Sequence, residues 1–236
     1  MLRKIIKRFL LGNKYNSDTY IKHLKHCGIE IGKGTRIFDP GTTLLDTQNP
    51  HMLTIGDNVR ITKGVIILTH DYSWSVLATC GGTVYGGISK TTIGNNVFIG
   101  MNSIVLRGST IEDNVVIGAG SVVHGRVERD SVYAGNPAKK ISTLQDYERR
   151  MKDRQEEEVR NYISCYIKRF GSIPSKEKLQ EYFFSFEDRE CNLPEEILEL
   201  VKRTGAEGKI KKKFKATEPI WQGYEALLKS VCKDIP

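Results

Sequence analysis

From residue 93 an aliphatic side chain returns at every sixth position: Ile93, Ile99, Val105, Ile111, Ile117 and Val123. Four residues after each stands a small or β-branched one: Val97, Ser103, Ser109, Val115, Ser121 and Val127. The same grid runs earlier through Ile31, Ile37, Ile55, Ile61 and Ile67, with Thr35, Gly41, Val59 and Val65 at the plus-four places. A period of six matches neither the helical repeat nor the alternation of a half-buried strand. It predicts short strands joined by tight turns, each hexad forming one side of a coil whose aliphatic residues stack inside. Burying each Ile contributes roughly 1.5–3 kcal/mol, so such a stack holds a chain with almost no other core.

Residues 31–66 and 93–128 make about four turns at three hexads per turn. The step from Ile67 to Ile93 is 26 positions, not a multiple of six, so the chain leaves the coil between them. In that excursion Cys80-Gly81-Gly82 and Tyr85-Gly86-Gly87 are turn-prone. Ahead of the coil, Ser17-Asp18-Thr19 reads as a helix cap, with Tyr20, Ile21, Leu24 and Cys27 at helical spacing behind it. That helix is expected to lid the open coil end. Beyond Ile141, Val159, Tyr162, Ile163, Tyr166, Ile167 and Phe170 follow helical spacing up to Gly171. Further helices are expected around Leu179–Phe184, around Ile197–Val201 behind Pro194, and from Trp221 to Val231 behind Pro219.

Composition narrows the classes. The chain has 236 residues, 36 Lys+Arg against 28 Asp+Glu, a net charge of +8, and 39% hydrophobic residues. Those values describe a folded protein with a real core, and the positive balance suits an anionic partner without choosing one. The apolar runs are only a few residues long, which predicts neither a membrane span nor a signal-peptide core. Five cysteines, Cys27, Cys80, Cys165, Cys191 and Cys232, are widely spaced and odd in number, as expected of reduced thiols in a cytoplasmic protein. Residues 1–11 set Arg3, Lys4, Lys7 and Arg8 against Leu2, Ile5, Ile6, Phe9 and Leu10. The segment reads as a docking or capping helix in preference to a weak contact with an anionic membrane surface. Lys209, Lys211, Lys212, Lys213 and Lys215 lack an array of stacking aromatics and read as a solvated loop, with no nucleic-acid partner expected.

His70 follows the run Val65-Ile66-Ile67-Leu68 and opens the excursion as Thr69-His70-Asp71-Tyr72-Ser73-Trp74. A histidine where a strand leaves a rigid coil serves either as a general base or as a loop anchor. Tyr72 and Trp74 are equally balanced between stacking on a ligand ring and anchoring the loop. His23 and His26 belong to the polar face of the first helix. His51, His70 and His124 lack the spacing of a metal site, and no metal is expected.

The segments Ile93-Gly94-Asn95-Asn96-Val97-Phe98-Ile99-Gly100, Val116-Ile117-Gly118-Ala119-Gly120-Ser121-Val122-Val123 and Ala134-Gly135-Asn136-Pro137-Ala138-Lys139 resemble the left-handed β-helix hexapeptide-repeat acyltransferases. Within them the chain is most similar to the sugar O-acetyltransferases of maltose, galactoside and capsular-polysaccharide type. The resemblance covers roughly residues 28–142 and implies a mainly β fold. With the flanking helices read from their spacing, the expected parts of the chain are an N-terminal helical segment (1–28), a left-handed parallel β-helix (29–142, excluded loop at about 69–91) and a helical C-terminal extension (143–236) that goes beyond the family domain. Left-handed crossovers run against the usual parallel connection, so the hand is implied by the family alone.

The resemblance also implies acetyl-CoA as donor, a sugar or polysaccharide precursor as acceptor, a homotrimer, and His70 as the base that deprotonates the acceptor hydroxyl. Asp71 would orient the imidazole or bind sugar, Asp46 would be a second carboxylate near the acceptor, and Trp74 is preferred to Tyr72 for sugar stacking. Gly100, Met101, Asn102, Ala119 and Gly120 match positions lining the coenzyme groove, and Asn136, Pro137, Lys139 and Lys140 match its nucleotide end. Where the family often carries Thr-Lys-Asp, this chain has His124-Gly125-Arg126, which makes Arg126 the candidate substitute for the lysine contact. The competing readings are an N-acetyltransferase acting on a nucleotide-linked amino sugar and a scaffold without activity.

Overall fold

The computed structural model describes residues 9–231. Residues 1–8 of the basic N-terminal segment and Cys232 lie outside the described residues. The chain divides into two compact units, Met1–Glu148 and Arg149–Pro236.

The first unit is a three-sided left-handed parallel β-helix. Its first turn carries β1 (Glu30–Ile31), β2 (Arg36–Ile37) and β3 (Leu44–Leu45), and its second β4 (Leu53–Ile55), β5 (Arg60–Ile61) and β6 (Ile66–Ile67). After the excursion come β7 (Thr91–Ile93), β8 (Phe98–Ile99) and β9 (Ile104–Val105), then β10 (Thr110–Ile111), β11 (Val115–Ile117) and β12 (Val122–Val123). A fifth, partial turn has β13 (Arg126–Val127) and β14 (Ser131–Ala134), and β15 (Lys139–Thr143) folds back antiparallel on β14. The first face is β1-β4-β7-β10-β13, the second β2-β5-β8-β11-β14, and the third β3-β6-β9-β12.

Register accounts for the six-residue grid. Ile31, Ile55, Ile93, Ile111 and Val127 pair in succession along the first face, and Ile37, Ile61, Ile99 and Ile117 along the second. Leu45, Ile67, Val105 and Val123 do so along the third, and all these side chains are buried in one core. The corners have their own periodicity. Gly34, Asn58, Asn96, Asn114 and Asp130 occupy the left-handed region one above another at the first corner. The Asn96 amide donates to Asn114 Oδ1 at 2.9 Å, and the Asn114 amide to Asp130 Oδ1 at 2.9 Å. Asn and Asp tolerate that backbone and supply the polar atoms that link one turn to the next.

One irregularity matters for function. The grid implies two coil sides between Ile37 and Ile55, but there is one, centred on buried Leu45. The extra residues lie at the second corner (38–43) and the third (46–52) and together equal one hexad, so the six-residue spacing survives the interruption.

Helix α1 (Ser17–His26) closes the coil end and buries Tyr20 and Leu24 in the coil's core, which makes it part of this unit. Its cap is Asn16, whose side chain accepts from Thr19 N–H at 2.9 Å, whereas Ser17 Oγ accepts instead from Ile37 N–H at 3.0 Å. The excursion is not all loop: it contains α2 (Trp74–Gly81), ended by Gly82 at φ +71°.

Helix α3 (Leu144–Phe170) leads into the second unit, where Val159 and Ile163 pack with Leu179, Phe186, Trp221 and Leu227. The remaining helices are α4 (Phe183–Phe186), α5 (Glu195–Thr204), α6 (Glu207–Lys215) and α7 (Tyr224–Val231). The lysine run, expected as a loop, is α6. Ile210 and Phe214, four residues apart, reach the cluster of Phe183, Ile197 and Val201, and that burial folds the lysines into a helix. Among the described residues no helix is long and apolar enough to cross a membrane.

Candidate active site

Strands β3 and β6 are neighbours on the third face, with Leu44 opposite Ile66 and Leu45 opposite Ile67. The residues that follow them therefore emerge side by side at the third corner, and Asp46 N–H donates to the Ile67 carbonyl at 3.0 Å. The Asp46 side chain is only 3% exposed. Its Oδ1 accepts from Gln48 N–H at 3.0 Å, and its Oδ2 from Thr69 N–H at 3.0 Å and Thr69 Oγ1 at 2.6 Å. His70 Nδ1 pairs with the same Oδ2. Burial pushes the Asp46 carboxyl upward, but the hydrogen bonds from Thr69, Gln48 and His70 outweigh it and lower the pKa to about 2. A carboxylate so held selects the His70 tautomer with hydrogen on Nδ1 and leaves Nε2 as an acceptor.

The His70 side chain is 31% exposed and faces a cleft of about 510 Å³. Gln48, Asn49, Tyr72, Trp74 and Tyr85 are among the residues that line it. The Tyr72 and Trp74 rings stand 4.6 Å apart, centroid to centroid, with Tyr72 largely exposed. Two legs of the excursion form the base. Ser89 N–H donates to the Thr69 carbonyl at 2.9 Å, Asp71 N–H to the Gly87 carbonyl at 3.0 Å, and His70 bridges Ile88 antiparallel. Gly87 is required there, because a Cβ would fall 2.6 Å from the Asp71 carbonyl oxygen.

Of the two carboxylate candidates, Asp46 is the one bonded to the imidazole. Asp46, expected near the acceptor, is buried with its oxygens committed to Thr69, Gln48 and His70. Asp71, expected to orient the imidazole or bind sugar, accepts from Ser73 N–H at 3.0 Å and Ser73 Oγ at 2.6 Å and pairs with Arg107 Nε. Hydrogen bonds from Ser73 and Arg107 hold the Asp71 pKa at about 2.

The donor candidates gather at the second corner. Gly100, Met101 and Asn102 join β8 to β9, Ala119 and Gly120 join β11 to β12 one turn on, and Asn136 and Pro137 lie in the turn after β14. Gly120 N–H donates to the Met101 carbonyl at 2.7 Å, and Ala138 N–H to the Val122 carbonyl at 2.9 Å, so these turns stack into one strip. Met101 is 54% exposed, and nothing lies within 4 Å of where a Gly120 Cβ would be. Lys139 and Lys140 follow on exposed β15, with Lys140 Nζ 2.7 Å from Glu128 Oε2. Arg126 is not brought to this strip. It opens β13 on the first face, the side opposite the second corner, and donates through Nε to Glu112 Oε1 at 2.8 Å.

Thr69, Gln48, Asn49, Tyr85 and Arg107 were missed by sequence reasoning. Only Thr69 and Arg107 had a signal, as polar residues where the third face turns its corner. His51 and His124 stand apart, exposed on the first and fourth turns.

Residues 90–125 match the family model described as bacterial transferase hexapeptide (six repeats). The chain is 35% identical over 145 residues to protein CapG of Staphylococcus aureus, covering 61% of this chain and 78% of that protein. It is 36% identical over 102 residues to the galactoside O-acetyltransferase of Escherichia coli (strain K12), spanning 43% of this chain and about half (49%) of that relative. Among solved structures it is similar to a maltose O-acetyltransferase from Clostridium difficile 630, at 28% identity and a TM-score of 0.39, over 59% of this chain and 81% of that one. With the repeat, the coil it builds and a relative matched over most of its length, the chain belongs to the hexapeptide-repeat transferase family.

Proposed function

We propose that the protein is an acetyl-CoA-dependent O-acetyltransferase acting on a hydroxyl of a sugar or polysaccharide precursor, with His70 as general base. The observation that carries this reading is the Asp46–His70 pair, whose carboxylate is buried and whose histidine, 31% exposed, lines a cleft with aromatic walls. The name of the galactoside O-acetyltransferase relative supports the acceptor class.

The donor supplies an acetyl group activated as a thioester. As the acceptor oxygen attacks its carbonyl carbon, His70 Nε2 takes the hydroxyl proton, and Asp46 stabilises the imidazolium through Nδ1–H. The oxygen–acetyl bond forms, the carbon–sulfur bond breaks, and the imidazolium returns the proton to the departing sulfur. Tyr72 and Trp74 offer apolar ring faces to the acceptor. Backbone groups at Gly100, Met101, Asn102, Ala119 and Gly120 would line the donor arm, with Lys139 and Lys140 toward its phosphates.

Within one chain the His70 corner and the donor strip are at opposite edges of the third face. Gly64 at the second corner and His70 past the third are six residues apart, at most roughly 20 Å at the rise of an extended chain. A hydroxyl and a thioester must meet within bonding reach, so we take the site to form between copies, as a homotrimer, with His70 of one subunit facing the donor strip of the next.

Thiol release from acetyl-CoA, measured across a panel of sugars, nucleotide sugars and oligosaccharides, tests the reading. Acceptor-dependent release with an ester product supports it. Acetylation of an amine only would replace it with N-acetyl transfer, and failure to bind coenzyme A by calorimetry would leave a scaffold.

A further inference from the structure

Arg107 lies outside every motif considered so far, yet it touches both legs of the excursion. It sits between β9 and β10 at the third corner, one turn above His70, and its side chain is 37% exposed. Nε pairs with Asp71 Oδ2 on the outgoing leg, and Nη1 donates to Ser89 Oγ on the returning leg at 3.1 Å. A planar guanidinium offers two separate nitrogens at fixed positions to two acceptors, whereas an ammonium would have to serve both from one atom. Asp71 extends the connection. Its other oxygen accepts from Ser73 N–H and Oγ, which sets the turn that starts α2 at Trp74. Ser89 in turn donates its N–H to the carbonyl of Thr69, the residue that precedes His70. The path Arg107–Asp71–Ser73 thus runs from a rigid coil corner to the aromatic wall of the cleft, while Arg107–Ser89–Thr69 runs to the base of the histidine.

We infer that Arg107 is the positioning residue of the acceptor cleft, stapling both legs of the excursion to the coil so that Trp74 stands at a fixed place beside His70. This inference rests on the acetyl-transfer reading of the cleft. It assigns Arg107 to acceptor recognition and not to proton transfer, because its side chain bonds the two legs of the excursion, whereas the imidazole is bonded by Asp46.

The test uses the full chain labelled with 5-fluorotryptophan. The protein has two tryptophans, Trp74 in the cleft and Trp221 buried in the second unit, and Trp74→Phe assigns their resonances. In Arg107→Gln the Trp74 resonance is expected to move toward its solvent-exposed position while that of Trp221 stays in place. Arg107→Lys should give an intermediate shift, since it recovers one of the two contacts. In turnover assays Arg107→Gln should raise the acceptor KM about tenfold, the scale of one charge-assisted hydrogen bond, with the KM for acetyl-CoA unchanged. Asp71→Asn should do the same, and the double variant should be no worse than Arg107→Gln alone.

An unmoved Trp74 resonance overturns the staple, and so does equal movement of both resonances, which would mean a loss of global stability. A shifted resonance with an unchanged acceptor KM overturns the assignment to acceptor recognition. The fluorine readout needs no acceptor, so if the wild-type protein transfers nothing, the acetyl-transfer reading fails while the staple is still decided.

Discussion

His70 and Asp46 are 24 residues apart in the chain and bonded in space, because one coil turn and its insertions separate the ends of β3 and β6 on the third face. The coil sets their spacing, and hydrogen bonds from buried Thr69 and from the Gln48 N–H fix the carboxylate, so the imidazole meets a partner already in place.

Asp46→Asn therefore should cost far more in kcat than in binding. The amide no longer favours the tautomer with hydrogen on Nδ1, and the comparable change in a serine-protease triad lowers kcat by about 10⁴. Here a fall of about 10²–10⁴ in kcat is expected with the KM for acetyl-CoA unchanged, read by steady-state thiol release.

Acid stability should depend on the same carboxylate. Its folded pKa of about 2 lies below the value of an unfolded Asp, so the unfolded chain binds more protons across that window. The stabilisation is present in full above the unfolded value and is lost as pH falls through about 2. Asp71 contributes with the same sign. Urea unfolding from pH 6 to 2 should show stability falling with pH, more shallowly in Asp46→Asn; an identical slope in the variant contradicts the assignment.

The corner ladder makes a separate prediction. Asn96 sits at φ +56°, accepts from Asn58 and donates to Asn114. Asn96→Ala loses the bonds and strains the backbone, for about 2 kcal/mol, whereas Asn96→Gly loses only the bonds, for about 1 kcal/mol. Chemical denaturation should rank wild type above Gly and Gly above Ala.

Subunit mixing addresses the shared site. His70→Ala and a variant with the donor strip blocked, Gly120→Trp, should each be inactive alone. Refolded together at equal concentrations, about a quarter of the interfaces pair two intact halves, and that share of activity should return. No recovery in mixed assemblies counts against a site between copies.

Much of the coil was legible because its determinants are local and repeat: each inward aliphatic residue is specified by its own hexad, and Ile93 to Val123 land in register. Leu45 was not, since two insertions that sum to one hexad conceal the missing side. The insertion at the third corner delivers Gln48 and Asn49 to the cleft, and it also disturbs the grid at Asp46, so Asp71, adjacent to His70 in sequence, stands ahead of Asp46 as the carboxylate candidate. Which of two acidic side chains meets a histidine depends on burial and on neighbouring donors from another turn, and neither has a local signature. Arg107 was hidden for a related reason, its partners lying 36 and 18 residues away. The lysine run was misread because charge dominated the pattern, while Ile210 and Phe214 alone decided its fold.

The most direct test of the central claim compares wild type with His70→Ala in single-turnover thiol release from acetyl-CoA, at saturating concentrations of the best acceptor. The account predicts that coenzyme A binding is retained and the transfer step falls by about 10³ or more, the scale of a lost general base. Transfer at the wild-type rate in His70→Ala would contradict it.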